Sequence, residues 1–141
     1  MSKRNGDKAR FNRNRKKKLL SIIERTINDV TVLDLEGNLA LDENARFRKH
    51  VTGVVEAGAR KLIVNLANVK YIDSCGLGEL ISCYTTLQLV NGRIKLLHLS
   101  DRLKYLLSIT NLDSLFETFD SEPAAVSSFA PCTERIEDAA H

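Results

Sequence analysis

Lys61-Leu62-Ile63-Val64-Asn65-Leu66 and, a few residues on, Tyr71-Ile72-Asp73-Ser74-Cys75-Gly76-Leu77-Gly78-Glu79-Leu80 are the stretches that decide the fold of this chain. The first is apolar at consecutive positions, the pattern of a short strand buried on both faces in a parallel sheet. The second opens a segment, Ser74 to Asn91, in which Leu77, Leu80, Ile81, Tyr84 and Leu87 recur at helical spacing before Gly92 ends it. Arg93 to Leu97 then reads as a strand again. Strand, loop, helix and strand make a βαβ unit, and its loop is expected to run from Asn65 through Val69, Tyr71 and Ile72 to Ser74.

Working outward, Leu19 to Ile27 and Val30 to Glu36 are rich in Ile, Val, Leu and Thr, and Asn28-Asp29 between them suits a two-residue hairpin turn. Asn44 to Ala57 spaces Phe47, Val51, Val54 and Val55 along one helix face and stops at Gly58. Downstream, Ser100 and Asp101 cap a third helix on which Leu103, Leu106, Leu107 and Thr110 line up. A weak strand at Glu117 to Phe119 and a helical turn around Pro123 to Phe129 complete the pattern. The order of elements predicts one α/β domain with a mixed sheet and right-handed crossovers after the opening hairpin.

The length of 141 residues suits one domain, and 43% hydrophobic with 28% charged residues is enough to build a core. No window holds 18 uninterrupted apolar residues, so no membrane insertion is expected, and the basic N-terminus lacks a signal-peptide core. A cytoplasmic protein is the expectation. Met1 to Lys18 carry nine Lys or Arg against one acid, a net of +8, while twelve basic and seventeen acidic residues leave the remainder at −5. Residues 1–18 therefore read as a flexible basic arm, residues 19–130 as the domain, and residues 131–141, with Glu134, Glu137 and Asp138, as a flexible tail. The arm reads first as a solvated extension and only second as a nucleic-acid contact, since Phe11 is its sole aromatic residue.

In open α/β sheets, sites gather beyond the carboxyl ends of strands, which directs attention to Asp73 and Ser74. Both residue types cap helices, and Gly76 and Gly78 strip side chains from the first turn, so an outside group is expected to reach the backbone there. A phosphoryl group on Ser74 would meet two opposing influences: free N–H groups at a helix start and the carboxylate of Asp73. Unit charges about 4 Å apart interact by about 4 kcal/mol at an effective dielectric near 20, against about 0.3–1 kcal/mol from a helix terminus. Repulsion from an acidic neighbour wins that comparison.

Catalytic readings find little. Gly76-Leu77-Gly78 lacks the third glycine of a dinucleotide fingerprint, and no phosphate-loop or nucleophile-elbow motif occurs. Cys75, Cys83 and Cys132 are odd in number and lack C-x-x-C spacing, and His50, His98 and His141 are scattered, so neither a disulfide framework nor a metal or cofactor site is expected. Cys75 reads as a buried thiol.

Taken together, Leu62 to Leu66, Tyr71 to Leu80 and Gly92-Arg93-Ile94-Lys95-Leu96-Leu97 closely resemble the bacterial STAS domain of anti-anti-sigma factors. The likeness runs through nearly all of Leu20 to Phe129, including Gly37 and Leu39 and the segment Ile109-Thr110-Asn111-Leu112. It implies a four- or five-stranded mixed sheet with helices mainly on one face. It also implies a non-enzymatic antagonist that binds an anti-sigma factor serine kinase and so frees a sigma factor. The kinase switches it off by phosphorylating the serine matching Ser74, and a serine phosphatase reverses the mark. The partner-binding surface implied is Asp73, Ser74, Cys75, Gly76 and Gly78. Family members often carry an acidic residue shortly after the glycine matching Gly37; here the chain reads Gly37-Asn38-Leu39-Ala40-Leu41-Asp42, and Asp42 is the candidate for that role from a shifted position. The alternative is a STAS adaptor, in a multiprotein assembly or beside a transporter, in which Ser74 is only a cap.

Overall fold

The structure, a computed structural model, describes residues 20–40 and 45–129. The hairpin pairs β1 (Ser21–Ile27) with β2 (Val30–Leu39), antiparallel in the register Ile27 to Val30 and Ser21 to Glu36. Its turn needs a left-handed residue, and Asn28 supplies it at φ 58°. From there the chain alternates helix and parallel strand: α1 (Arg46–Glu56), β3 (Lys61–Ile72), α2 (Ser74–Leu89), β4 (Arg93–Leu97), α3 (Asp101–Ile109), a 3-10 turn at Leu112–Ser114, β5 (Glu117–Phe119) and α4 (Glu122–Ser127). The sheet is mixed, with five strands in the order β1-β2-β3-β4-β5.

Alternation along the strands makes two cores. Leu33, Leu35, Leu62, Val64, Ile94 and Leu96 pack under α1, α2 and α3, which contribute Phe47, Val51, Leu80, Leu87, Leu103 and Leu107 among others. The opposite set, Val30, Val32, Ile63 and Leu97, is covered by Ala125 and Phe129 from α4 and the turn after it. Three helices thus lie on one face and one short helix on the other. Period 2 in the strands and period 3.6 in the helices turn the apolar residues of both to a common side, so burial drives the layering.

Two expectations need correction. The loop foreseen from Asn65 to Ser74 is mostly strand, because β3 runs on to Ile72 beside a β2 that itself reaches Leu39. Pairing survives two register irregularities, passing from Asp34–Asn65 to Glu36–Asn68 and from Gly37–Val69 to Asn38–Tyr71. The extra residues of β3 bulge out, and Gly37 at φ 111° turns the partner strand with them. Because this half of the pair is largely solvent-facing, its sequence carries no apolar run to announce it. The second correction is Thr110, expected on the buried face of α3. It caps the helix end in an exposed position and donates its hydroxyl to the Leu106 carbonyl at 2.7 Å.

On the α4 face a polar group is built into the sheet. Arg25 Nε bonds Asp34 Oδ2 at 2.5 Å, its Nη2 bonds Glu122 Oε1 at 2.7 Å, and Asn65 Nδ2 donates to Asp34 Oδ1 at 2.8 Å. Burial by itself would push the Asp34 carboxyl up, but the hydrogen bonds from Arg25 and Asn65 and the guanidinium charge outweigh it and hold the group below its ordinary 3.8. The hydrogen bond from Arg25 likewise lowers Glu122 below 4.5. Both carboxyls are therefore more acidic in the folded chain than in the unfolded one. Their contribution to stability is complete above those ordinary values and is lost as pH falls through the depressed folded ones. Urea denaturation midpoints measured from pH 7 downward should fall on the acid side of about pH 4.5. The decline should be shallower in Asp34→Asn, which has already lost the pair at pH 7.

Candidate functional site

The start of α2 sits where β3 ends, next to the end of β2. Asp73 is extended (φ −132°, ψ −169°), and its Oδ1 accepts the N–H groups of Cys75 at 2.9 Å and Gly76 at 3.0 Å. This makes Asp73 the N-cap and Ser74 the first helical residue. The Ser74 side chain is exposed and makes no hydrogen bond among the described residues. Tyr71 stands beside it, 46% exposed, with its hydroxyl 3.4 Å from Asp73 Oδ2.

This geometry changes the expected electrostatics. The N–H groups of Cys75 and Gly76 are already taken by Asp73, so a phosphoryl group on Ser74 would find its neighbouring carboxylate seated at the helix start. With those two donors occupied, the repulsion between such a group and the Asp73 carboxylate is opposed by fewer free N–H groups than the sequence suggested.

The two glycines divide in role. Gly76 is buried, and a β-carbon there would lie 2.7 Å from the Leu39 carbonyl carbon and closer still to its oxygen, with Ile72 Cγ1 at 3.0 Å. The space it leaves is filled by the backbone of β2 rather than by an outside group, contrary to expectation. Gly78 is exposed and has nothing within 4 Å of a β-carbon, so it leaves the surface of the first turn open. Cys75 is exposed, not buried; the buried thiol is Cys83, which burial and then the charge of Glu79 push up to about 12. Glu79 is itself held by Arg48 of α1 at 3.2 Å, tying the two helices together beside the site.

Asp73, Ser74, Cys75, Gly76 and Gly78 are thus brought to one helix start, while Asp42 lies outside the described residues. Tyr71 belongs to this surface and was not singled out from the sequence. Its signal was alternation, since Ile72 points in and Tyr71 therefore out, but that is readable only once residues 69–72 are known to be strand. Among the described residues no group of His, Cys, Asp and Glu is arranged to hold a metal ion, and no helix is long and apolar enough to cross a membrane.

The STAS domain family model matches residues 21–125, which take in the whole sheet and all its helices up to the middle of α4. The chain belongs to the STAS domain family. A relative in Bacillus subtilis, an anti-sigma-B factor antagonist, is 30% identical over 95 residues, covering 67% of this chain and 85% of its own. The crystal structure of protein TM1081 of Thermotoga maritima superposes with a TM-score of 0.66 at 27% identity, over 76% of this chain and 92% of that one. The same fold appears in the phosphorylated form of the Bacillus cell-fate determinant SpoIIAA, with TM-score 0.63, 21% identity, and 77% and 99% of the two chains covered.

Gly76→Ala and Gly78→Ala in this STAS domain separate packing from surface. Gly76→Ala must push apart α2 and β2 and should lower the urea midpoint by the equivalent of roughly 1–3 kcal/mol, as overpacking does. Gly78→Ala should be neutral or stabilising by up to about 1 kcal/mol, because alanine is the better helix former. Parallel denaturation curves read both; equal losses would contradict the assignment.

Proposed function

We propose that the protein is an anti-sigma factor antagonist that binds an anti-sigma factor serine kinase through the start of α2, and that phosphorylation of Ser74 ends the binding. The observation that carries this reading is the free, exposed hydroxyl of Ser74 beside a carboxylate that already holds the helix cap. A serine serving only as a cap would have its oxygen on a backbone N–H; here Asp73 does that work, so Ser74 is available for another role. The name of the Bacillus subtilis relative, an anti-sigma-B factor antagonist, supports the same class of function.

The unmodified surface offers Ser74, Cys75, the open side of Gly78 and the Tyr71 ring, a small patch of mixed polarity. Asp42 joins it in this reading from the segment that follows Leu39. Phosphate at Ser74 adds about −1.5 to −2 charges next to Asp73, and a partner seated there would have to accommodate both. Each tenfold loss of affinity needs only about 1.4 kcal/mol, well within reach of that repulsion after screening. A serine phosphatase acting on phosphorylated Ser74 restores the free state. The protein acts by binding rather than by catalysis and requires no cofactor. Residues 1–18 and 131–141 are extensions of the domain in this scheme, not parts of the switch.

Wild type, Ser74→Ala and Ser74→Asp serve as baits in lysate of the source organism, with retained proteins identified by mass spectrometry and the affinity of a captured kinase then measured. Wild type and Ser74→Ala should hold an anti-sigma serine kinase alike, and Ser74→Asp should bind it about tenfold or more weakly. With ATP the kinase should add phosphate to wild type at Ser74 and none to Ser74→Ala. Equal retention by all three baits, or phosphate on another residue, would overturn the switch and favour the adaptor reading.

A further inference from the structure

At the end of the sheet opposite Ser74, where β3 and β4 begin, a cavity of about 200 Å³ is lined by Arg60, Lys61, Asn91, Arg93, Lys95, Ser128 and Phe129. Four of these side chains are cationic and none is acidic. Lys61 and Arg93 are cross-strand neighbours in register, so their charges are held close together by the sheet itself. Like charges in register destabilise a sheet unless something offsets them. Asp29 bonds Lys61 Nζ at 2.7 Å and Glu117 bonds Lys95 Nζ at 2.8 Å, which leaves the guanidinium groups of Arg60 and Arg93 without a carboxylate among the described residues. Arg60 spends one nitrogen on the carbonyls of Val55 and Ala59, and Arg93 has no side-chain partner there at all.

The walls are fixed. Arg93 N donates to the Arg60 carbonyl at 2.8 Å and Gly92 N to that of Leu87 at 2.7 Å. A β-carbon at Gly92 would sit 2.5 Å from Leu87 Cδ1 and 2.8 Å from the Arg60 oxygen, so the two basic segments are pinned together by a contact only glycine permits. Lys95 is 3% exposed, at a strand position that the pattern around it would fill with an apolar residue. Its Nζ bonds Ser128 Oγ at 2.7 Å and lies 4.3 Å from the Phe129 ring centroid. Ser128 in turn donates to the Ala125 carbonyl, which fixes its orientation. Burying a lysine is costly even when it is paired, and the cost is offset where a bound anion shares the charge.

We propose that this cavity is a binding site for a phosphate-type oxyanion. Guanidinium forks and an ammonium match tetrahedral oxygens, and a dianion neutralises what Asp29 and Glu117 leave uncompensated. The volume is smaller than the roughly 300–1,000 Å³ of pockets that hold drug-sized ligands, so a small anion fits where a nucleotide does not. The site is independent of the Ser74 reading and stands or falls without it.

Full-length ¹⁵N-labelled protein is titrated with inorganic phosphate, and separately with glycerol 3-phosphate, at an ionic strength held constant with chloride. Amide signals of Lys61, Asn91, Arg93, Ser128 and Phe129 should move along one saturating curve. Arg93→Gln, at an exposed position, should bind about tenfold or more weakly, and Arg102→Gln on α3 should bind like wild type. Tighter binding of glycerol 3-phosphate assigns the ligand to phosphate monoesters, and tighter binding of inorganic phosphate assigns it to the free ion. Shifts that never saturate, shifts confined to residues 1–18, or unchanged binding by Arg93→Gln would overturn the site.

Discussion

The carbonyl of Leu39 occupies the space where Gly76 would otherwise carry a side chain, and the arrangement of the Ser74 surface depends on that backbone contact. It brings the end of β2 against the first turn of α2, fixes the direction in which the helix leaves β3, and so decides where Ser74 points. Asp73 can then close the helix with its own carboxylate, and the serine next to it is left outward and unbonded. A glycine contact of this kind is rigid, since neither side has a rotamer to adjust. Ser74 is therefore carried on a fixed support.

The two faces of the sheet are built on different terms. Under α1, α2 and α3 the packing is almost wholly apolar, and the helices need only their periodicity to find it. Under the short α4 the apolar cluster is small, and charged groups share the face: Arg25 bridges Asp34 and Glu122, and Lys95 is buried beneath Phe129. A six-residue helix buries too little surface to be held by burial alone, and the ion pair from Glu122 to Arg25 ties it across to β1. The Ser74 surface and the basic cavity lie at opposite ends of β3, so the same strand carries two chemically distinct ends.

Much of the fold was legible in the residues. Phe47, Val51, Val54 and Val55 announced the face of α1, and all four are buried. Asn28-Asp29 announced the hairpin, and even the three-residue strand at Glu117 to Phe119 lies where its pattern put it. The second half of β3 was hidden because it is exposed and bulged, so neither alternation nor an apolar run marks it. Thr110 was misplaced because helical spacing continues in sequence past the point where the helix stops.

The residues by themselves determined the α/β order, the family likeness and the short list around Ser74, because these rest on local periodicity and on a motif of adjacent positions. Which of Asp73 and Ser74 caps the helix, that a β-carbon is crowded at Gly76 and not at Gly78, that Cys75 is exposed, and that Arg60, Lys61, Arg93 and Lys95 meet around one cavity were decided only by the tertiary structure. Each depends on a neighbour distant in the chain or on the direction of a backbone, and a one-dimensional pattern records neither.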